Sequence, residues 1–139
     1  MPITVGQPAP DFSLPGISEN KEFTLADFKG KFLYLAFFDS QNLASQSELG
    51  LINDIYEEYR NKVAFVAISV DKDMAALADY LNRAELPWTV LHYDGNLELL
   101  EQYDANTYPY FVLINDQGQI MRCPAPSPSE NIQRLFSSF

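Results

Sequence analysis

The thiol and imidazole groups of this chain are few, and their number limits the chemistry that the sequence can support. Among 139 residues there is one cysteine, Cys123, and one histidine, His92. Disulfide exchange needs a thiolate that attacks sulfur and a second thiol that resolves the mixed disulfide. A single cysteine can therefore act only with an external thiol. Neither residue has a neighbouring ligand with metal-binding spacing, so we expect no metal and no cofactor, and we interpret His92 as non-catalytic.

The polar residues between 42 and 48 can start a helix in two ways. Ser45 and Glu48 have the spacing of a capping box, in which both side chains bind free amides. Alternatively, Asn42 is the cap and the helix begins one turn earlier. A nucleophilic Ser45 would need a base within hydrogen-bonding reach, and no histidine lies nearby in the sequence. We therefore interpret the segment as a helix start.

The hydrophobic pattern predicts strands that alternate with helices. The apolar runs 31–38 and 63–70 are short and rich in aromatic and β-branched residues, as is typical of strands buried on both faces. Apolar residues at three- and four-residue spacing predict a helix to about Tyr59 and another from Met74 that ends before Pro87. Further elements are expected at 88–91 (strand), 97–103 (helix) and from 127 onward (helix). The alternation implies one compact α/β domain, residues 1–139, with a mainly parallel sheet.

The C-terminal part contains a hairpin signal. The segment 115–118 (Asn-Asp-Gln-Gly) separates two apolar runs, which predicts antiparallel strands over 110–114 and 119–123. If the turn is centred on its two middle residues, Tyr110 faces Cys123, and the thiol lies at the same end of the sheet as the helix start. One extra turn residue would shift this register and reverse the side chain. Alternatively, Cys123 is a small, partly buried apolar residue.

Several motifs occur in an order that resembles a known family. Residues 5–12 (VGQPAPDF) and 23–31 (FTLADFKGK) look like the family's opening VGxxAPDF and its FxLxDFKGK turn. Phe37-Phe38 lies where the family has Phe-Trp, and 108–109 followed by 113–118 resembles its stretch from cis-proline to hairpin. The family is the thioredoxin-fold group of TlpA/ResA and AhpC/TSA (peroxiredoxin-like) proteins. The resemblance implies a thioredoxin-like fold, with a central mixed sheet flanked by helices and an N-terminal extension.

The resemblance also implies where an active site would lie. Against the TlpA-like pattern Phe-Trp-Ala-Thr-Trp-Cys-x-x-Cys-Arg-x-Glu, Asn42 takes the first cysteine position, Ser45 takes the second, and Glu48 is retained. An amide and a hydroxyl cannot exchange disulfides. The resemblance thus predicts a member of the thiol-disulfide oxidoreductase family that lacks dithiol activity and acts as a binding or structural module. The alternative is a monothiol oxidoreductase or antioxidant protein that uses Cys123 with an outside thiol such as glutathione.

A partner site is also implied by the resemblance. It suggests a cis peptide bond at Pro109, beside which family members pair their backbone with an extended peptide. Such pairing uses backbone groups and does not require the cysteines. Leu43, Tyr108 and Tyr110 are candidates for an apolar rim of this groove, although the two tyrosines could instead pack against the sheet. An extended peptide or protein segment is therefore the expected partner.

Charge and composition exclude other partner classes. The net charge of −10, with the nine basic residues scattered, disfavours nucleic acid and anionic membranes. No apolar run approaches the ~20 residues of a membrane span, and the first residues lack the regions of a signal peptide. Composition leaves open a cytoplasmic protein or a domain of a longer, exported chain. The resemblance favours a periplasmic or otherwise exported location.

Overall fold

The centre of the structure is a five-stranded mixed sheet, seen in a computed structural model that describes residues 3–139. The strands are β1 (Ser13–Pro15), β2 (Glu22–Thr24), β3 (Phe32–Phe38), β4 (Val63–Ser69), β5 (Thr89–His92), β6 (Tyr110–Ile114) and β7 (Ile120–Arg122). The helices are α1 (Leu43–Tyr59), α2 (Met74–Ala84), α3 (Leu97–Gln102) and α4 (Gln133–Phe136). The sheet order is β5-β4-β3-β6-β7, whereas β1 and β2 form a separate hairpin.

The strand β3 lies in the middle of the sheet and is buried on both faces. It runs parallel to β4 and antiparallel to β6. Because side chains alternate along a strand, Leu33, Leu35 and Phe37 pack into a core with α3 and the N-terminal segment. Tyr34 and its alternate neighbours pack on the opposite face with α1, α2 and α4. Burial on both faces explains why the sequence of β3 is continuously apolar and does not alternate with polar residues.

The parallel pairs β3–β4 and β4–β5 place the carboxyl ends of three strands at one edge of the sheet. The loops that follow these strands therefore lie side by side, and α1 begins from one of them. The α/β pattern predicted from periodicity is confirmed, with boundaries of the central strands and α1 within about one residue of those expected. Along residues 3–139, no helix has the length and apolar character needed to cross a membrane.

The structure differs in detail from the sequence predictions at the final helix and at the hairpin register. The expected final helix is divided into a 3-10 turn (Pro128–Glu130) and α4, because Asn131 adopts a left-handed conformation with φ 65° between them. The β6–β7 register pairs Ile114 with Ile120, as the turn with one extra residue predicts, and an irregularity then pairs Leu113 with Arg122. The pairing of Tyr110 with Cys123 that the shorter turn would give does not occur. The short hairpin β1–β2 was not predicted from the sequence.

Candidate functional site

The junction between β3 and α1 holds the two residues that the resemblance sets at the cysteine positions. The Asn42 Oδ1 atom accepts a hydrogen bond from the Ser45 N–H at 2.9 Å, so Asn42 is the cap of α1. Ser45 is 0 % exposed, and its Oγ accepts from the Asp39 N–H at 3.4 Å. Of the two readings of this segment, the Asn42 cap is therefore confirmed and the Ser45 capping box is wrong.

Glu48, the retained glutamate, is occupied in a contact between elements. Its Oε1 accepts from the Ser129 N–H at 2.9 Å, and its Oε2 accepts from the Ser129 hydroxyl at 2.6 Å. The carboxylate thus fastens α1 to the 3-10 turn near the C-terminus. Both of its oxygens are used by this contact, which stabilises the packing of α1.

A buried carboxylate that sequence reasoning missed lies beside this junction. Asp71 follows β4, and its oxygens accept from the Ser40 N–H at 3.0 and 3.1 Å, from the Ser40 hydroxyl at 2.8 Å and from the Ser69 hydroxyl at 2.5 Å. The Asp71 carboxylate forms no ion pair in the described chain, and its oxygens are instead bound by these donors. The only signal in the sequence was a pair of polar residues directly after an apolar run.

His92 supports the same loop. Its Nδ1 accepts from the Asp94 N–H at 3.1 Å, so the proton of the neutral ring is on Nε2, which donates to the Asp71 carbonyl oxygen at 2.7 Å. Both ring nitrogens are therefore occupied by backbone groups. The histidine positions the backbone after β4 and is not directed at Ser45.

The thiol of Cys123 lies just after β7 and is half-buried. Its Sγ is 3.3 Å from the Tyr110 Oη and 3.4 Å from the Tyr103 carbonyl oxygen. Burial raises the pKa of the Cys123 thiol; the Tyr110 hydrogen bond opposes this shift, and the charge of Asp104 adds to it. The thiol is consequently held mostly protonated at neutral pH.

The three residues proposed for the rim of the groove beside Pro109 differ in their exposure. Tyr110 is buried, and its hydroxyl donates to the Tyr103 carbonyl oxygen at 2.8 Å, which favours the second of its two interpretations, packing against the sheet. Leu43 is 80 % exposed in the first turn of α1. Tyr108 is half-buried, and its peptide bond to Pro109 is cis, the form that the resemblance implies.

Tyr108 lies in a groove between α3 and the loops that follow β3 and β4. Two adjoining depressions of about 630 and 520 Å³ share Leu97, Leu100 and Tyr108, and we call their union the Tyr108 groove. Its other lining residues are Asp39, Gln41, Val70, Asp71, Lys72, Asp73, Tyr93, Glu101, Asp104, Ala105 and Asn106. Leu43 and Pro109 do not line it. The groove therefore adjoins the start of α1 but is centred on α3.

Backbone groups beside the groove are free. The N–H and C=O of Tyr108 bind no other group within residues 3–139, although its hydroxyl donates to the Ala105 carbonyl oxygen at 3.1 Å. The same part of the chain contains no group of three or more His, Cys, Asp or Glu side chains placed to hold a metal ion. What this site can offer a ligand is thus backbone pairing, apolar surface and carboxylates.

The fold is that of thioredoxin-like proteins. It matches the thioredoxin domain of a thiol-disulfide oxidoreductase from Bacteroides vulgatus with a TM-score of 0.86 and 16% identity, over 99% of each chain. The model of the AhpC/TSA family matches residues 5–122, and the chain belongs to this family. The resemblance inferred from the sequence motifs is thereby confirmed.

Relatives within this family carry the name thiol-disulfide oxidoreductase ResA. The one from Bacillus thuringiensis is 27% identical over 121 residues, which are 86% of this chain and 69% of that protein. The one from Oceanobacillus iheyensis is 32% identical over 120 residues, which are 84% of this chain and 62% of that protein. The chain is therefore similar, over most of its length, to proteins named thiol-disulfide oxidoreductase ResA.

Proposed function

We propose that this chain is a protein-binding module of the AhpC/TSA family without dithiol redox activity. The observation that carries the proposal is the use of the two positions at which the resemblance expects cysteines. Asn42 caps α1 with its side chain, and Ser45 is buried with its hydroxyl bonded to the backbone. Both side chains contribute to the start of the helix, and neither is able to attack a disulfide.

The remaining thiol, that of Cys123, is poorly suited to replace the two cysteines that the resemblance expects. Burial raises the pKa of Cys123, whereas reactive cysteines have a lowered pKa that populates the thiolate at neutral pH. The chain has no second cysteine that could resolve a mixed disulfide. The monothiol alternative therefore has no structural support, and a role in binding is the better interpretation.

The binding part of the proposal is supported by the free backbone at Tyr108. An extended segment can pair with the N–H and C=O of this residue as an added strand would, while its side chains enter the Tyr108 groove. This pairing is independent of thiol chemistry. We therefore propose that the module binds an extended segment of a partner protein beside Pro109.

The redox part is tested by the reduction of insulin with dithiothreitol. We expect the rate with this protein to equal the rate with dithiothreitol alone, with Cys123→Ser as the matched variant. A rate above that background which disappears in the variant would contradict the proposal and identify Cys123 as the active group of a monothiol enzyme.

The binding part is tested by amide NMR spectra recorded while a pool of short peptides of random sequence is added. We expect the signals of Thr107 and Tyr108 to shift, because their backbone would pair with the bound segment. Shifts confined to other surfaces, or no shifts at saturating peptide, would show that the chain does not bind extended segments beside Pro109.

A further inference from the structure

The Tyr108 groove is lined by more acidic than basic side chains. The solvent-accessible carboxylates among its lining residues belong to Asp39, Asp73, Glu101 and Asp104, whereas its single cation is Lys72. The ion pairs within residues 3–139 lie elsewhere, between side chains of α1 and its C-cap and between side chains of α2. The carboxylates of the groove are therefore not neutralised by a cation of the described chain.

The floor of the same groove is apolar and accessible. Leu97 is 64 % exposed, and Leu100 and Tyr108 continue its surface across both depressions. An exposed leucine in a groove lined by carboxylates matches a partner chain that carries apolar side chains next to basic ones. The aliphatic stems of lysine and arginine can also cover apolar surface while their charged ends stay in water.

The shape of the groove favours an extended segment over a compact cation. In an extended chain, alternate side chains point to the same face, so neighbouring side chains of one face can enter the two adjoining depressions. The unpaired backbone groups of Tyr108 lie beside the depressions and offer hydrogen bonds to such a chain. A small cation would leave both features unused.

We propose that the Tyr108 groove selects extended protein segments that carry arginine or lysine next to an apolar or aromatic residue. This inference rests on the proposed binding function and adds the chemistry of the partner. Complementary charge also accelerates encounter and suppresses wrong partners. A second copy of this chain is a poor occupant, because its net charge of −10 would repel the acidic groove.

Matched synthetic peptides test the charge requirement. One peptide combines arginine with leucine and phenylalanine, a second replaces each arginine with neutral citrulline, and a third replaces it with glutamate. We expect the arginine peptide to bind about tenfold more tightly than the citrulline peptide, because several exposed ion pairs each contribute a few-fold. We expect no binding of the glutamate peptide, and a weaker preference for arginine at high salt.

Substitutions within the groove test the location. Glu101→Gln with Asp104→Asn removes two charges at nearly constant shape and should weaken binding of the arginine peptide several-fold, with little effect on the citrulline peptide. The control is Asp54→Asn with Glu58→Gln, which removes two charges from the exposed face of α1, across the sheet from α3. This control should leave both affinities unchanged.

Each contrary result has a distinct meaning. Equal binding of the arginine and citrulline peptides, with shifts of the Tyr108 amide, would overturn the charge preference and leave the proposed binding function standing. Binding of neither peptide would overturn both. Equal weakening by the two pairs of substitutions would place the bound segment outside the groove. Concentration-dependent dimers in sedimentation, with groove signals shifted and no peptide bound, would assign the groove to a second copy.

Discussion

Two neighbouring regions of this molecule use their polar groups in opposite ways. At the junction of β3 and α1, the side chains of Asn42 and Ser45 are bonded to groups of the same chain. In the Tyr108 groove, Glu101 and Asp104 have no cation partner within residues 3–139, and Leu97 is exposed. The comparison teaches that the junction contributes to stability, whereas the surface proposed to bind a partner lies beside it.

The largest effect is expected when the junction is given cysteines. Asn42→Cys with Ser45→Cys, in a Cys123→Ser background, should form an internal disulfide and reduce insulin faster than the parent chain. The start of α1 favours a thiolate electrostatically, as in other Cys-x-x-Cys motifs. Thiol titration before and after reduction measures the disulfide, and each single cysteine variant is a control. A folded double variant that keeps two free thiols under oxidising conditions would show that the junction differs from the family geometry.

The second-largest effect is expected when the buried carboxylate of Asp71 is removed. Asp71→Ala leaves the Ser40 N–H and the hydroxyls of Ser40 and Ser69 without an acceptor. Each buried group left unsatisfied costs about 1–3 kcal/mol, so the free energy of unfolding should fall by roughly 3 kcal/mol or more. Urea denaturation measures it. The control Asp79→Ala removes only an exposed ion pair with Arg83 and should cost less than about 1 kcal/mol. Similar losses in both variants would contradict a stabilising role for Asp71.

A smaller loss is expected from the helix cap. Asn42→Ala should lower the free energy of unfolding by about 1 kcal/mol, because the Ser45 N–H loses its side-chain acceptor. Asn42→Asp keeps an acceptor and should retain most of the stability. Leu43→Ala, at an exposed position of the same turn, serves as the control. If Asn42→Ala and Leu43→Ala cost the same, the cap does not stabilise α1.

The smallest effect is expected at the cysteine. Cys123→Ser should leave the fold and peptide binding unchanged, and alkylation of the parent thiol should be slow at neutral pH, because burial raises its pKa. The pKa of Cys123 is higher in the folded than in the unfolded chain, so the protonated thiol contributes to stability at pH values below the ordinary thiol pKa. This contribution declines as the pH rises through the pKa of the folded chain. The pH dependence of the alkylation rate measures it. An apparent pKa below about 6.5 would instead indicate a reactive thiol.

Sequence patterns determined much of this fold because its central strands and α1 are specified by local periodicity. The run that became β6 was bounded correctly as Tyr110–Ile114, since an apolar run flanked by turn residues is buried wherever it pairs. The turn residues left two hairpin registers open, and the longer turn pairs Ile114 with Ile120. The further shift between Leu113 and Ile114 had no signal in the turn residues. The sequence could not show which of Tyr108 and Tyr110 is buried, because this depends on where β6 begins. Tyr110 lies within β6 and is buried, whereas Tyr108 precedes the strand.

By itself the sequence determined the inventory of reactive groups: one cysteine, one histidine, and an amide and a hydroxyl at the start of α1. It also determined the family, because the motifs occur along nearly the whole chain. The tertiary structure decided how these groups are used. Ser40 and Asp71 are 31 residues apart and meet only because β3 and β4 run parallel and end at the same edge. The Tyr108 groove likewise exists only where α3 packs beside that edge, since no local pattern brings its carboxylates and leucines together.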